Sequence, residues 1–218
     1  MSTQGDGLDV RLAGPAHDLA LFAERAARHD PGTPVRLVAA GSVLAAFVTT
    51  PFECLGLRVS RLAEHVDVDM VVEAVGLAAR ARGAVDGWLS LPPRLPDMQW
   101  TSPLPPRSGW SQVATVSAEQ VTDRVRADTD EFKQRAGQVD PGRGSNAALE
   151  GLAAELWART VVADAPARLL HAADYLGFLP EQDDGVVTLR SVGTWRRLDT
   201  DLGVTAARLT DPLGLFTR

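Results

Sequence analysis

The sequence predicts an α+β protein with short antiparallel sheets and about five helices, in which a proline-rich segment joins two halves. Apolar residues alternate with polar ones near both ends of the chain, as in half-buried strands. Between these ends, several segments repeat apolar residues every three or four positions, as one buried helix face requires. Six prolines lie within residues 92–106, where each fixes φ and removes an amide donor, so neither helix nor central strand can persist.

The chain opens as a strand followed by a helix. Leu8, Val10 and Leu12 alternate with other residues, which makes one face of a strand apolar. Gly14 and Pro15 suit the start of a helix, which the following Asp-Pro-Gly turn should end.

The next segment predicts strands and a second helix. Residues 35–62 are rich in Val, Leu, Phe and Ala and are broken by turn residues, which predicts three strands in a meander. Asp67 or Asp69 can cap a helix over about 70–82, because a short side-chain oxygen accepts free amide groups of the first turn. Residues 85–91 then predict a returning strand.

The second half is predicted to be helical and then to end in a β-meander. Ser117 and Gln120 form an S-x-x-Q capping box, which starts a helix over about 117–136. A second helix follows Ser145, and a third begins near Pro166, both with apolar residues at helical spacing. The last predicted strands cover residues 186–192, 194–199 and 204–209.

The composition is that of a globular protein with an acidic balance. Hydrophobic residues make up 45% of the chain, and no run of 18 apolar residues could span a bilayer. The formal net charge of −6 argues against nucleic acid, which requires positive charge to neutralise its phosphates. The first residues do not resemble a secretory signal. We therefore expect a soluble cytoplasmic protein with neither nucleic acid nor membrane as partner.

Residue usage limits what single residues indicate. The single cysteine, Cys54, excludes an internal disulfide framework and a Cys-rich zinc site, and the sequence predicts no cofactor. The chain has no isoleucine and one lysine but many Arg, Ala, Gly and Val residues, as a GC-rich genome encodes. The preference for Arg over Lys is then coding bias rather than selection for phosphate or carboxylate recognition.

The proline-rich segment contains the first candidate binding site. Trp100 and Trp110 could wall a recess in which Arg107 and the amides of Ser108 and Gly109 contact an anion. The alternative, which the composition favours, is a rigid connector whose tryptophans fill the junction between two halves. Both alternatives place the segment at a junction.

Two other clusters have the residue types of a catalytic or metal site. His171 and Asp174 are three residues apart on a predicted helix, so Asp174 could orient His171 as a general base. A buried, hydrogen-bonded His171 is the simpler interpretation, since no nucleophile accompanies it. Asp67 and Asp69 could bind a hard cation, although helix capping explains both without a metal. The sequence thus predicts no catalytic set and no metal site.

A predicted strand near the end contains the last candidates. Trp195 and Arg197 alternate along it and share one face, where they could stack on a ligand or pair with a partner protein. Alternatively, Trp195 lies in the buried face of the sheet while the arginines cover its edge.

Two motifs indicate a family resemblance. The sequence "LPPRSGW" before a capped helix, and the late "GTWRRLDTDLGVTAARL", resemble uncharacterised conserved proteins of high-GC Gram-positive bacteria. The resemblance implies a cytoplasmic bacterial protein and transfers no activity, cofactor or binding residue.

The sequence therefore predicts an N-terminal α+β half (1–91), a connector (92–110) and a helical segment with a β-meander (111–218), which could also form one continuous domain. The leading hypothesis is a non-catalytic module that binds proteins or itself. The alternative is an enzyme or ligand-binding protein that holds an anionic substrate near Arg107 and His171.

Overall fold

The computed structural model describes residues 8–140, 142, 144–180 and 185–209. These residues form five α-helices and antiparallel sheets, which confirms the α+β class. The chain divides into two compact units: unit 1 comprises Met1–Thr50 and Leu55–Leu104, and unit 2 comprises Pro51–Cys54 and Pro105–Arg218. The division after Leu104 falls inside the proline-rich segment.

Unit 1 is built on one long antiparallel hairpin with two helices. Its elements are β1 (Asp9–Arg11), α1 (His17–Ala26), β2 (Pro34–Thr49), β3 (Leu55–Glu73), α2 (Ala74–Arg82), β4 (Trp88–Ser90) and a 3₁₀ turn at Asp97–Gln99. β2 pairs with β3 along its whole length, with one shift in register between Gly41 and Val43. α1 and α2 contact each other, and β1 pairs with β4.

The hairpin corrects two predictions in unit 1. The predicted three-strand meander is two long strands, and the predicted helix over about 70–82 begins only at Ala74. Asp67 and Asp69 lie in β3 and cap no helix. They alternate with Val66 and Val68, as residues of a strand do, and this part of β3 pairs with β2. The N-cap position of α2 is Glu73, which makes no side-chain cap.

The elements of unit 2 are β5 (Ser111–Ser117), α3 (Ala118–Ala136), α4 (Ser145–Ala158), β6 (Thr160–Val162), β7 (Ala165–Pro166), α5 (Ala167–Tyr175), β8 (Val186–Val192), β9 (Trp195–Thr200) and β10 (Gly203–Arg208). Helices α3 and α5 pack against four antiparallel strands in the order β10-β9-β8-β5, and α4 packs on α3 and α5. The core of the sheet includes the fully buried Leu189 and Leu198. Thr205 is also buried, and its hydroxyl donates to the carbonyl of Leu169, which ties β10 to α5.

The local signals of unit 2 are confirmed. The Ser117 hydroxyl accepts the Gln120 amide at 3.2 Å, and the Gln120 side chain accepts the Ser117 amide at 3.1 Å. The three final strands lie within one or two residues of their predicted positions. Across both units, no helix of the residues placed by the structure is long and apolar enough to cross a membrane.

Four charged side chains connect the end of α3 to the end of α4. Arg159 donates to Glu131 at 2.6 Å, and Arg135 donates to Glu155 at 2.7 Å. Further bonds join Arg135 to Glu131 and Arg159 to Glu155. Hydrogen bonds from these arginines lower the pKa of each glutamate to about 2.

Candidate functional site

One face of the unit 2 sheet brings together two residues that the sequence placed far apart. Trp110 directly precedes β5, and its Nε1 donates to the carbonyl of Pro106 at 2.8 Å, which closes a short loop. Gly109 makes this turn with φ of +84°, where a side chain would be strained. The Arg197 guanidinium, from β9, lies over the Trp110 ring at 5.3 Å from its centroid. This distance is that of a cation–π contact.

Charges surround the ring. Arg190 and Arg197 lie opposite each other across β8 and β9, and both donate to the carboxylate of Asp199, Arg190 at 2.8 Å. All four side chains are partly exposed. We call Trp110, Arg190, Arg197 and Asp199 the Trp110–Arg197 face. Two guanidinium groups share one carboxylate, so this face has an excess positive charge that suits a carboxylate from a partner.

The Trp110–Arg197 face adjoins an open strand edge. Among the strands that the structure describes, β5 pairs with β8 alone. Its other edge therefore presents backbone donors and acceptors that no strand satisfies. The register shifts between Gln112 and Ala114, and Val113 at this bulge is 42% exposed. An aromatic ring, paired charges and free backbone groups thus lie side by side.

The remaining predicted binding residues lie in different surroundings. Trp100 belongs to unit 1, where its Nε1 donates to the Ser102 carbonyl at 2.6 Å. Arg107 and Ser108 are exposed in the loop before Trp110. Trp195 lies opposite Val192 and is half-buried. The structure thus joins Trp110 with Arg197, a pair that spacing along the chain could not indicate.

The predicted catalytic candidates lie in a buried cluster. His171 is 8% exposed, and its Nε2 is 3.4 Å from a carboxylate oxygen of Asp128, which is 3% exposed. Asp128 accepts a hydrogen bond from Arg124 Nε at 3.0 Å, and Arg124 Nη2 lies 2.9 Å from its other carboxylate oxygen in an ion pair. Burial lowers the pKa of His171, and the Asp128 carboxylate opposes this shift. The neutral imidazole is thus favoured, and Asp128 is the carboxylate within ion-pair distance of it.

Asp174, by contrast, is exposed and forms no ion pair with His171 in the part of the chain that the structure describes. The sequence contains a signal for Asp128. Asp128 lies three residues after Val125 and seven after Val121, which places a carboxylate on the apolar stripe of α3. A charge at such a position indicates a buried partner.

The His171 ring is covered by an aromatic group from a short segment. Phe52 stacks on it with ring centroids 5.7 Å apart, and Trp157 and Tyr175 contact Phe52 edge-on at 5.0 and 5.9 Å. This packing keeps His171 from the surface. Two recesses of unit 2, one of about 190 Å³ against the sheet and one of about 710 Å³ beside α4, are lined by neither Arg107 nor His171.

The predicted metal candidates lie on the hairpin of unit 1. Asp67 and Asp69 are exposed in β3, and the Asp69 carboxylate accepts two bonds from Arg36 at 2.9 and 2.8 Å. Within the described residues, no three His, Cys, Asp or Glu side chains are grouped to hold a metal ion. Cys54 is buried, and burial raises the pKa of its thiol to about 12, so it is a poor nucleophile.

Two family models match consecutive parts of the chain. Residues 4–102 match the model described as "Domain of unknown function (DUF8010)", and residues 105–212 match "Domain of unknown function (DUF8185)". The boundary between the two matches coincides with the division after Leu104. No curated protein matches the chain.

The fold is similar to that of bacterial sliding clamps. The Bartonella birtlesii sliding clamp (DNA polymerase III subunit beta) bound to griselimycin aligns with a TM-score of 0.55 and 14% identity over 93% of this chain. DNA polymerase III subunit beta from Pseudomonas aeruginosa aligns with a TM-score of 0.55 and 12% identity over 94%. The Caulobacter crescentus pol III beta gives 0.55 and 13% over 92%. This chain spans 65% of the length of each of these clamps.

Proposed function

We propose that this chain is a non-catalytic module that binds protein, and that its partners include a second copy of itself. The clamp-like fold supports this class of function, because the solved structures it resembles are named as subunits of a DNA polymerase. The observation that carries the proposal is the Trp110–Arg197 face beside the open edge of β5.

The chemistry of this surface suits a protein partner. Trp and Arg are enriched among the residues that contribute most to interface affinity, because each buries a large, partly apolar group that also makes directed polar contacts. The adjacent edge offers backbone hydrogen bonds to an added strand. Because Arg190 and Arg197 share Asp199, an acidic side chain on that strand would be attracted to them.

A second copy can satisfy these requirements. In a two-fold symmetric dimer, β5 of each copy would pair antiparallel with β5 of the other, and both faces would contribute to the same interface. The exposed Val113 would then be covered. The bulge beside it limits the pairing to a short stretch, so we expect a reversible association.

Sedimentation equilibrium of the full chain over a range of concentrations tests the proposal. We expect a monomer–dimer equilibrium that Trp110→Ala weakens about 30-fold, the loss of a residue worth roughly 2 kcal/mol at an interface. Trp88→Ala is the matched control, because Trp88 is a 47% exposed tryptophan beneath an arginine in unit 1. A chain that stays monomeric at every concentration, or equal weakening by both variants, would refute self-association through this face.

The cellular location of the protein and the absence of nucleic acid among its partners are part of the same proposal. We propose a cytoplasmic protein from a GC-rich bacterium, on the grounds of residue usage and the resemblance stated above. The net charge of −6 supports a role without DNA, although the clamps it resembles belong to DNA polymerases. Sedimentation of the same samples with a DNA duplex at low salt should leave the distribution unchanged, and co-sedimentation would overturn this part.

A further inference from the structure

The recess of about 190 Å³ against the sheet of unit 2 reaches into the core. Its floor consists of side chains that are at most 3% exposed, namely Val121 of α3, Leu170 of α5, Leu189 of β8 and Leu198 of β9. Protein interiors contain few spaces larger than a water molecule, so a recess of this size beside buried leucines is unusual. A cavity of about 150 Å³ with similar apolar walls can bind benzene. The recess against the sheet can therefore hold one ring or a short branched chain.

This recess lies on the face of the sheet that α3 and α5 cover. Leu189 and Leu198, which line it, are opposite each other across β8 and β9. The neighbouring pair, Arg190 and Arg197, belongs to the Trp110–Arg197 face. Because successive residues of a strand project to opposite sides, the recess and that face lie on opposite sides of the sheet. They share no lining residue, so a ligand in the recess is independent of the proposed function.

A short hairpin forms one wall of the recess against the sheet. Val161 and Val162 of β6 line it, and β6 pairs with β7. The carboxylate of Asp164, in the turn between these strands, accepts two bonds from Arg196 of β9 at 2.9 and 2.6 Å. The side chain of Arg196 is itself only 13% exposed. The hairpin is thus fixed to the sheet, and a ligand that packs on this wall orders little additional structure.

Two polar side chains of α3 line the recess together with the apolar ones. Gln120 and Arg124 are four residues apart and so are neighbours on one face of the helix. The Gln120 Oε1 accepts the Ser117 amide, whereas Arg124 directs its Nε and Nη2 to Asp128. Within the residues placed by the structure, Gln120 Nε2 and Arg124 Nη1 donate to no acceptor. Both groups can only donate, and no acidic residue is among the described lining residues, so the site favours a ligand oxygen.

We infer that the recess against the sheet binds a small monocarboxylate. Its ring or branched chain lies among the valine and leucine side chains, and its carboxylate accepts hydrogen bonds from Arg124 and Gln120. A carboxylate is preferred over a neutral acceptor, because hydrogen bonds from a guanidinium to an anion are shorter and stronger. Asp128 engages one edge of the Arg124 guanidinium, which leaves Nη1 for the ligand.

Titration of the full chain, labelled with ¹³C in its valine and leucine methyl groups, tests the inference by NMR. The probes are benzoate, the neutral isostere benzamide, and acetate, which lacks a ring. We expect benzoate to shift the methyl signals of Val162, Leu170 and Leu198 to saturation, and acetate to shift none of them. Benzamide should bind about tenfold more weakly, because it lacks the charge that strengthens the hydrogen bonds from the donors. Shifts that do not saturate, shifts confined to methyl groups elsewhere, or equal affinities for benzoate and benzamide would overturn the inference.

Three substitutions show whether the named residues bind the probe. Val162→Asp places a negative charge in the wall of the recess, whereas Thr160→Asp places the same charge on an exposed residue of β6 that does not line it. We expect the first to abolish benzoate binding and the second to leave it. Arg124→Lys keeps a cation beside Asp128 but removes the planar fork, so benzoate should bind about tenfold more weakly. Unchanged affinity with Val162→Asp or Arg124→Lys, or equal loss with Thr160→Asp, would contradict the inference; methyl signals outside the recess show that each variant is folded.

Discussion

Acidification should destabilise unit 2 through one buried side chain, His171. Its imidazole lies under Phe52 and next to the Asp128 carboxylate, which also forms an ion pair with Arg124. The perturbation is a fall in pH, compared between the natural chain and His171→Phe. The phenyl ring keeps the aromatic contact with Phe52 but cannot bind a proton.

The sign and size of the effect follow from proton linkage. Burial lowers the pKa of His171 below its ordinary value of 6.5, and Asp128 opposes this only in part. The unfolded chain therefore binds the proton at a higher pH than the folded chain does. Well above pH 6.5 this residue is neutral in both the folded and the unfolded state, so it adds no pH dependence there. Between that value and the lower folded pKa, the free energy of unfolding should fall by up to about 1.4 kcal/mol per pH unit.

Urea unfolding followed by tryptophan fluorescence, from about pH 8 to about pH 5, measures this slope across the range where histidine titrates. Trp157 contacts Phe52 and so reports on the cluster itself. The free energy of unfolding of the natural chain minus that of His171→Phe should be constant at high pH. This difference should decrease below pH 6.5. Asp128→Asn removes the charge that favours protonation of His171. The free energy of unfolding of this variant should therefore keep decreasing to a lower pH than that of the natural chain. Parallel profiles for the natural chain and His171→Phe would refute the reasoning.

Two further predictions concern two separate glycines of unit 1 and the charged residues that join α3 to α4. Gly41 and Gly87 both have positive φ, but a Cβ at Gly87 would lie 2.5 Å from a backbone carbonyl oxygen, whereas none is near Gly41. In urea titrations Gly41→Ala should cost roughly 1–2 kcal/mol, and Gly87→Ala about 1–3 kcal/mol more; equal costs would exclude the steric explanation. Glu131→Gln removes the negative charge that pairs with Arg159 and leaves an amide oxygen as acceptor, so the melting temperature should fall less in high salt than in low salt, because salt screens the partly exposed charges. That stabilisation should be complete above the ordinary glutamate pKa of 4.5 and lost as the pH falls through about 2.

Local signals predicted most of unit 2. The capping box at Ser117 and Gln120 satisfies its own backbone groups, so it forms wherever a helix can start. The final strands are short and bounded by the turn residues of Gly193 and the Asp-Thr-Asp-Leu-Gly segment, and each pairs with its neighbour in the chain. Short-range chemistry therefore sufficed for these elements.

The failed predictions in unit 1 involve residues that are compatible with two kinds of local structure. Asp69 is a good helix cap, but it also fits the alternation of a strand. In the structure Asp69 lies opposite Val38 and pairs with Arg36, so pairing with β2 makes it a strand residue. The Phe52–His171 stack and the Trp110–Arg197 contact depend in the same way on packing between distant segments. Spacing along the sequence contains no information about such pairs.

Phe52 connects the two unusual features of unit 2. One face of its ring stacks on His171, and its neighbour Trp157 is a wall of the recess beside α4, which Phe52 also lines. Any segment that packs on these rings excludes water from the same side of the cluster, which makes a charged imidazole still less favourable. Binding and proton uptake are reciprocal, so whatever occupies the recess must bind more weakly once His171 is protonated. Protonation of the buried His171 and binding in the recess are thus coupled through the ring of Phe52.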